Sequence, residues 1–246
     1  MPATIDITTE DGTCPAHVFQ PSGAGPWPAV LFFMDGLGIR PALFEMGARL
    51  AAHGYYVILP DLYYRSGPYE PMDPRRVFGD PEVRQTLFQK FMGKLGQANA
   101  MRDTRAVLAF LAGQPAVAPG QIGATGYCMG GGLAISAAGF FPDRFAAVAA
   151  YHPGHLATDA PDSPHLQAPR IQAQVYVGGA SDDPSFPDAM KARLETALRD
   201  AGVRHTVETY PARHGWVPSD TPVHDPAAAE RHWQTLFALL DGALKP

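Results

Sequence analysis

Glycines bracket a cysteine in Gly126-Tyr127-Cys128-Met129-Gly130-Gly131, directly after the short apolar run 122–126. A Gly-x-Cys-x-Gly segment between a strand and a helix presents its thiol on a sharp bend, as a nucleophile. The bend is too tight for Cβ atoms at the flanking positions, which is why glycine stands there. A helix opening after Cys128 aims backbone N–H groups and the positive end of its dipole at the sulfur. Both features favour a thiolate and a developing oxyanion. The plainer reading of such a cysteine is a small hydrophobe buried in a glycine-rich turn. Cys14 sits in an alternating N-terminal pattern and reads as structural.

A nucleophilic thiol needs a base, and the base needs an acid to orient it. Of nine histidines, His214 is the candidate base, because Arg213-His214-Gly215 follows the last strand-like run, 203–210. The turn Gly178-Gly179-Ala180-Ser181-Asp182-Asp183-Pro184 follows the run 171–177 and offers two acids. One of Asp182 and Asp183 would fix the imidazole tautomer; the other reads as a solvated turn residue or helix cap. His152 and His155 also follow a strand, at 145–151, and are candidates to line a pocket. With no carboxylate at ligand spacing they are a weak metal signal, and no metal is expected.

Secondary structure must bring these residues together. Ile5 and Ile7, then Cys14, Ala16 and Val18, alternate with polar residues around Asp11-Gly12, which predicts an antiparallel hairpin. Runs 28–34 and 55–59 are apolar without alternation, as in strands buried on both faces of a parallel sheet. Between them Leu43, Met46, Gly47 and Leu50 recur at helical spacing. Residues 62–81 are polar, proline-rich and aperiodic, and read as a long functional loop. Helical patterns follow at 83–92, 101–111, 131–138, 190–201 and 227–240, alternating with the strand runs named above. This order predicts one α/β domain over residues 1–246: a doubly wound, mostly parallel sheet with an antiparallel N-terminal hairpin, the α/β-hydrolase fold. Such sheets bind ligands at the carboxyl ends of their strands.

At these residues the chain resembles the dienelactone hydrolase family of α/β-hydrolases over nearly its whole length. The resemblance is carried by Gly126-Tyr127-Cys128-Met129-Gly130-Gly131, Pro60-Asp61-Leu62-Tyr63-Tyr64-Arg65, the Asp182-Asp183 turn with Pro187, and Arg213-His214-Gly215. It implies a triad of Cys128, His214 and an aspartate. The family acid is followed four residues later by proline, which implies Asp183, with Asp182 as the alternative. Family members also carry a glutamate that contacts the resting thiol and swings away when substrate arrives; Asp35, in Met34-Asp35-Gly36, holds that place. The resemblance further implies the backbone N–H groups of Gly36 and Met129 as oxyanion donors. It implies Arg65 as partner to the acidic residue or to a substrate carboxylate. A second arginine, usual shortly after the histidine, is missing from Gly215-Trp216-Val217-Pro218; Arg40, close to Asp35, is a possible substitute.

Composition narrows the partners. With 19 basic and 24 acidic residues the formal charge of −5 points to neither nucleic acid nor an anionic membrane surface. The opening MPATIDITTEDG lacks the basic and apolar regions of a signal peptide, and no apolar run approaches the roughly 18 residues of a membrane helix. Two cysteines make no disulfide scaffold, and a reducing cytoplasm is expected. The implied activity is cleavage of a small-molecule ester or lactone through an acyl-thioester, without a cofactor. A rival reading is a degenerate hydrolase fold that binds a small molecule or partner without turnover; the intact Cys–Asp–His order argues against it. A redox-sensing thiol ranks last, for want of a resolving cysteine in the sequence.

Overall fold

The computed structural model describes residues 2–245. Its centre is an eight-stranded sheet in the order β1-β2-β4-β3-β5-β6-β7-β8. The strands are β1 (Ala3–Thr9), β2 (Gly12–Phe19), β3 (Ala29–Phe33), β4 (Tyr56–Pro60), β5 (Ile122–Tyr127), β6 (Phe145–Tyr151), β7 (Gln174–Ala180) and β8 (His205–Tyr210). β2 pairs antiparallel with β1 and β4; every other pairing is parallel. β3, β4 and β5 are buried at every position, as their unbroken apolar runs require once helices cover both faces. β7 begins later than the 171–177 run suggests, and a 3₁₀ helix, Pro164–Arg170, precedes it.

The helices are α1 (Pro41–Ala52), α2 (Pro74–Gly79), α3 (Pro81–Leu87), α4 (Gly93–Leu95), α5 (Gln97–Ala112), α6 (Met129–Phe140), α7 (Asp188–Asp200) and α8 (Pro226–Leu244). α6 follows the nucleophile. It is nearly all small and apolar residues and is buried along most of its length, the mark of a helix with no solvent face.

Two expectations are corrected. The hairpin turn falls on Glu10 and Asp11, with Gly12 already paired to Thr9 at φ +131°. Residues 62–81 are partly helical. A 3₁₀ turn spans Tyr64–Ser66, and α2 and α3 each begin with a proline at the first helical position. Asp73 caps α2 by accepting from Arg75 N at 2.9 Å, and Asp80 caps α3 by accepting from Glu82 N at 2.9 Å. Two of the four prolines in this stretch, Pro74 and Pro81, are helix starts, where the missing N–H has no intrahelical partner to lose.

One rim of the sheet then gathers the chemistry. Along the neighbouring strands β3, β5, β6, β7 and β8, the segments leaving the carboxyl ends carry Asp35, Cys128, His152, Asp183 and His214 in that lateral order.

Candidate active site

Cys128 holds φ 52° and ψ −117°, a conformation a residue with a Cβ adopts only under strain. Its N–H donates to Tyr151 O at 3.1 Å and its carbonyl accepts from Gly131 N at 3.1 Å, so the bend is tied to β6 and to α6. The flanking glycines are sterically required. A Cβ on Gly126 would lie 2.0 Å from the Gly130 carbonyl oxygen, and one on Gly130 would lie 2.4 Å from the Met34 carbonyl oxygen. Met129 N–H opens α6 beside the sulfur, where no intrahelical acceptor exists for it.

His214 comes from the loop after β8. Its Nδ1 donates to Asp183 Oδ2 at 2.7 Å, with the Asp183 side chain 2% exposed and the imidazole 25%. Ser185 Oγ donates to the other oxygen, Oδ1, at 2.6 Å, and Ser185 N also donates there at 2.9 Å. Asp182, its neighbour, is exposed at φ 49°. Burial opposes charge on the His214 ring, but the nearby Cys128 sulfur, and then the hydrogen bond with Asp183, outweigh it and raise the imidazolium to about 10. Burial would raise Asp183, yet hydrogen bonds from His214 and Ser185 prevail and lower it.

Asp35 is 4% exposed and lines the same cavity as Cys128 and His214. The expected contact of its carboxylate with the thiol is replaced by another. Arg40 Nη1 and Nη2 donate to its two oxygens at 2.7 and 2.9 Å, and Leu37 N donates to Oδ1 at 2.9 Å. An aspartate, one methylene shorter than the family glutamate, sits close against its own loop, and a buried arginine five residues on holds it there. Gly36, next to it, lines the cavity, and its carbonyl accepts from Tyr63 OH at 2.8 Å.

Arg65 is placed elsewhere, which corrects the expectation that it meets substrate. Its guanidinium makes two bonds of 2.7 Å to the fully buried Asp103 on α5 and two more, at 2.9 and 2.7 Å, to Asp11 in the hairpin turn. The arginine in the cavity wall is Arg84, on α3, a solvent-exposed side chain that the sequence reading passed over. The cavity measures about 200 Å³ and is otherwise walled mainly by apolar side chains, among them Leu37, Val77, Phe78, Leu87, Phe88 and Met92. Also missed were Ser185, whose two-residue spacing from Asp183 is a turn signal, and Trp216, packed at 5.0 Å on the His152 ring. Among the described residues, no group of three or more His, Cys, Asp and Glu side chains gathers as a metal site, and no helix is long and apolar enough to cross a membrane.

A mixed eight-stranded sheet with a strained residue on the turn into its central helix, and a histidine and aspartate on the same rim, defines an α/β-hydrolase. A provisionally named dienelactone hydrolase of Klebsiella pneumoniae has the same architecture, with a TM-score of 0.85, 24% identity and 98% of each chain covered. The dienelactone hydrolase family model matches residues 14–244, so the chain belongs to that family, and with it to the carboxylic ester hydrolases. A Synechocystis protein provisionally named carboxymethylenebutenolidase is 26% identical over 98% of this chain and 100% of its own. A Pseudomonas carboxymethylenebutenolidase is 33% identical over 51% of this chain and 50% of its own.

Proposed function

We propose that the chain hydrolyses an ester or lactone of a small molecule, with the Cys128 thiolate as nucleophile and an acyl-thioester as intermediate. The observation that carries this reading is the His214 ring, backed at 2.7 Å by a buried aspartate and lining the same cavity as Cys128. The thiolate adds to the carbonyl carbon, and the resulting oxyanion is received by the N–H groups of Gly36 and Met129. As the C–O bond to the leaving group breaks, the His214 imidazolium gives its proton to the departing oxygen. Acylation consumes the negative sulfur that held the ring charged, so His214 is now neutral and basic. It takes a proton from water as the water oxygen bonds to the carbonyl carbon. The C–S bond then breaks, the acid leaves, and thiolate and imidazolium are restored.

A cavity of about 200 Å³ suits a small substrate, below the roughly 300 Å³ at which drug-sized ligand sites begin. Its apolar wall takes the carbon skeleton, and Arg84 meets an anionic or polar end with a guanidinium fork. Cys128→Ala is expected to abolish turnover of an aryl acetate, and rapid quenching of the wild type to show an acyl mass adduct on the peptide holding Cys128. Turnover that survives the substitution removes the thiol from the mechanism.

A further inference from the structure

His152 stands beside the triad on the next strand and has no part in the mechanism above. It is 1% exposed, it is among the residues lining the catalytic cavity, and its backbone N–H donates to Gly178 O at 2.8 Å. Two costs are concentrated here. The backbone is at φ 37°, in the left-handed region. Neither ring nitrogen has a hydrogen-bond partner from another residue, and the adjacent Trp216 Nε1 is buried without one as well. A buried, unpartnered polar atom is destabilising, and an apolar side chain would remove the cost. The imidazole is held neutral, first by burial and then by the charge on His214. It therefore keeps one donor and one acceptor nitrogen.

Position says what the missing partner is. Gly36, on the β3 side of Cys128, receives the carbonyl oxygen; β6 lies on the opposite side of β5. In the mechanism above the departing oxygen takes its proton from His214, which comes from beyond β6 on that same side of Cys128, so this oxygen faces the β6 side. There the His152 and His214 rings meet edge to face, with centroids 5.3 Å apart at 63°. We infer that His152 hydrogen-bonds the leaving-group oxygen during acylation and then the water that takes its place, orienting each toward His214. His152 transfers no proton itself; the proton moves between that oxygen and His214 as above. The inference rests on the thiolate reading and adds to it a second imidazole that touches the reacting oxygen.

The test is a leaving-group series. Acetate esters of p-nitrophenol, phenol and a simple alcohol are compared by kcat/KM in the wild type, His152→Phe and His152→Asn. A hydrogen bond to the departing oxygen matters most where that oxygen is most basic. His152→Phe should lose about tenfold or more on the alkyl ester relative to the p-nitrophenyl ester. His152→Asn, which offers donor and acceptor and tolerates positive φ, should restore most of the lost slope. Equal losses along the series, or a wild-type slope in His152→Phe, overturn the inference: the ring then only packs against His214. Should a phenyl ring at φ 37° prevent folding, His152→Ala reads the same slope. Cys128→Ala, run alongside, separates the two readings. Activity surviving there removes the thiolate itself, whereas full Cys128 dependence with an unchanged slope removes only the role of His152.

Discussion

Arg40 grips Asp35 with both terminal nitrogens, at 2.7 and 2.9 Å, while its Nε and Nη2 reach Asp220 at 2.7 and 3.2 Å. Asp35 precedes Gly36 on the loop after β3, and Asp220 lies on the loop that follows His214. One guanidinium, 2% exposed, therefore ties the proposed oxyanion loop to the histidine loop. Removing one partner of a buried pair strands the other charge. Arg40→Met should cost about 3 kcal/mol or more, seen as a Tm lower by roughly 6–12 °C. Adding Asp35→Asn should recover more than half of that loss. An Arg40→Met protein that melts with the wild type would show that the clamp contributes no stability.

Two arginines on the 62–95 stretch, Arg65 and Arg84, separate stability from recognition. Arg65 neutralises Asp103, whose side chain is wholly buried, so Arg65→Gln should lower stability by about 3 kcal/mol with KM unchanged. Arg84 is exposed on the cavity wall, so Arg84→Gln should leave Tm unchanged. It should raise KM for an ester bearing a carboxylate by about tenfold, the worth of one charge-assisted hydrogen bond, and leave neutral esters unaffected. Equal KM shifts for charged and neutral esters would exclude Arg84 from recognising the anion.

The pH dependence follows from two shifts of opposite sign. His214 is raised from 6.5 to about 10, so the stability it contributes is complete below 6.5 and fades as pH rises towards 10. Asp183 is lowered from 3.8, so its contribution is present above 3.8 and fades as pH falls through the lowered value. The Cys128 sulfur is the foremost cause raising His214, and Cys128→Ser removes it. An imidazole NMR titration should then place His214 of the variant well below the wild type. The wild type should also lose more stability than the variant between pH 6.5 and 10. Identical His214 titrations in the two proteins would show that the sulfur and the ring are uncoupled.

Legibility in the sequence tracked how local each signal is. The elbow glycines were readable because their constraint lies within five residues: Gly126 meets Gly130 at 2.0 Å. The strand runs were readable because burial on both faces leaves no polar positions. Asp35 could be placed at the end of β3, but its partner could not. That partner is set by the reach of Arg40 and by Asp220, on a loop 180 residues after Arg40. Arg65 and Arg84 exchange importance for the same reason. Both lie on the stretch leaving β4, and which guanidinium faces the cavity depends on how α2 and α3 fold back over the rim. His152 was noted as a pocket candidate from its place after β6, whereas the absence of partners for its ring is a property of packing alone.

The sequence leaves Asp182 and Asp183 as adjacent candidates, and their roles can be separated by substitution. Asp183 is buried and bonded to Nδ1, so Asp183→Asn keeps the size but can offer an N–H where an acceptor is needed, favouring the wrong tautomer. The analogous change in a serine triad lowers kcat by about 10⁴, and a loss on the order of 10²–10⁴ is expected here, since a thiol ionises more readily than a hydroxyl. Asp182 is exposed, and the ring's carboxylate partner is Asp183, so Asp182→Asn should keep activity within about twofold, as for a surface change. Ser185→Ala removes the 2.6 Å donor to Asp183 Oδ1, leaving the backbone N–H of the same residue on that oxygen, and should cost about tenfold. Measured on one aryl ester, the losses should rank Asp183→Asn, Ser185→Ala, Asp182→Asn. A larger loss at Asp182 than at Asp183 would transfer the orienting role to the exposed aspartate. The rise in the His214 pKa would then need a partner other than the carboxylate 2.7 Å from its Nδ1.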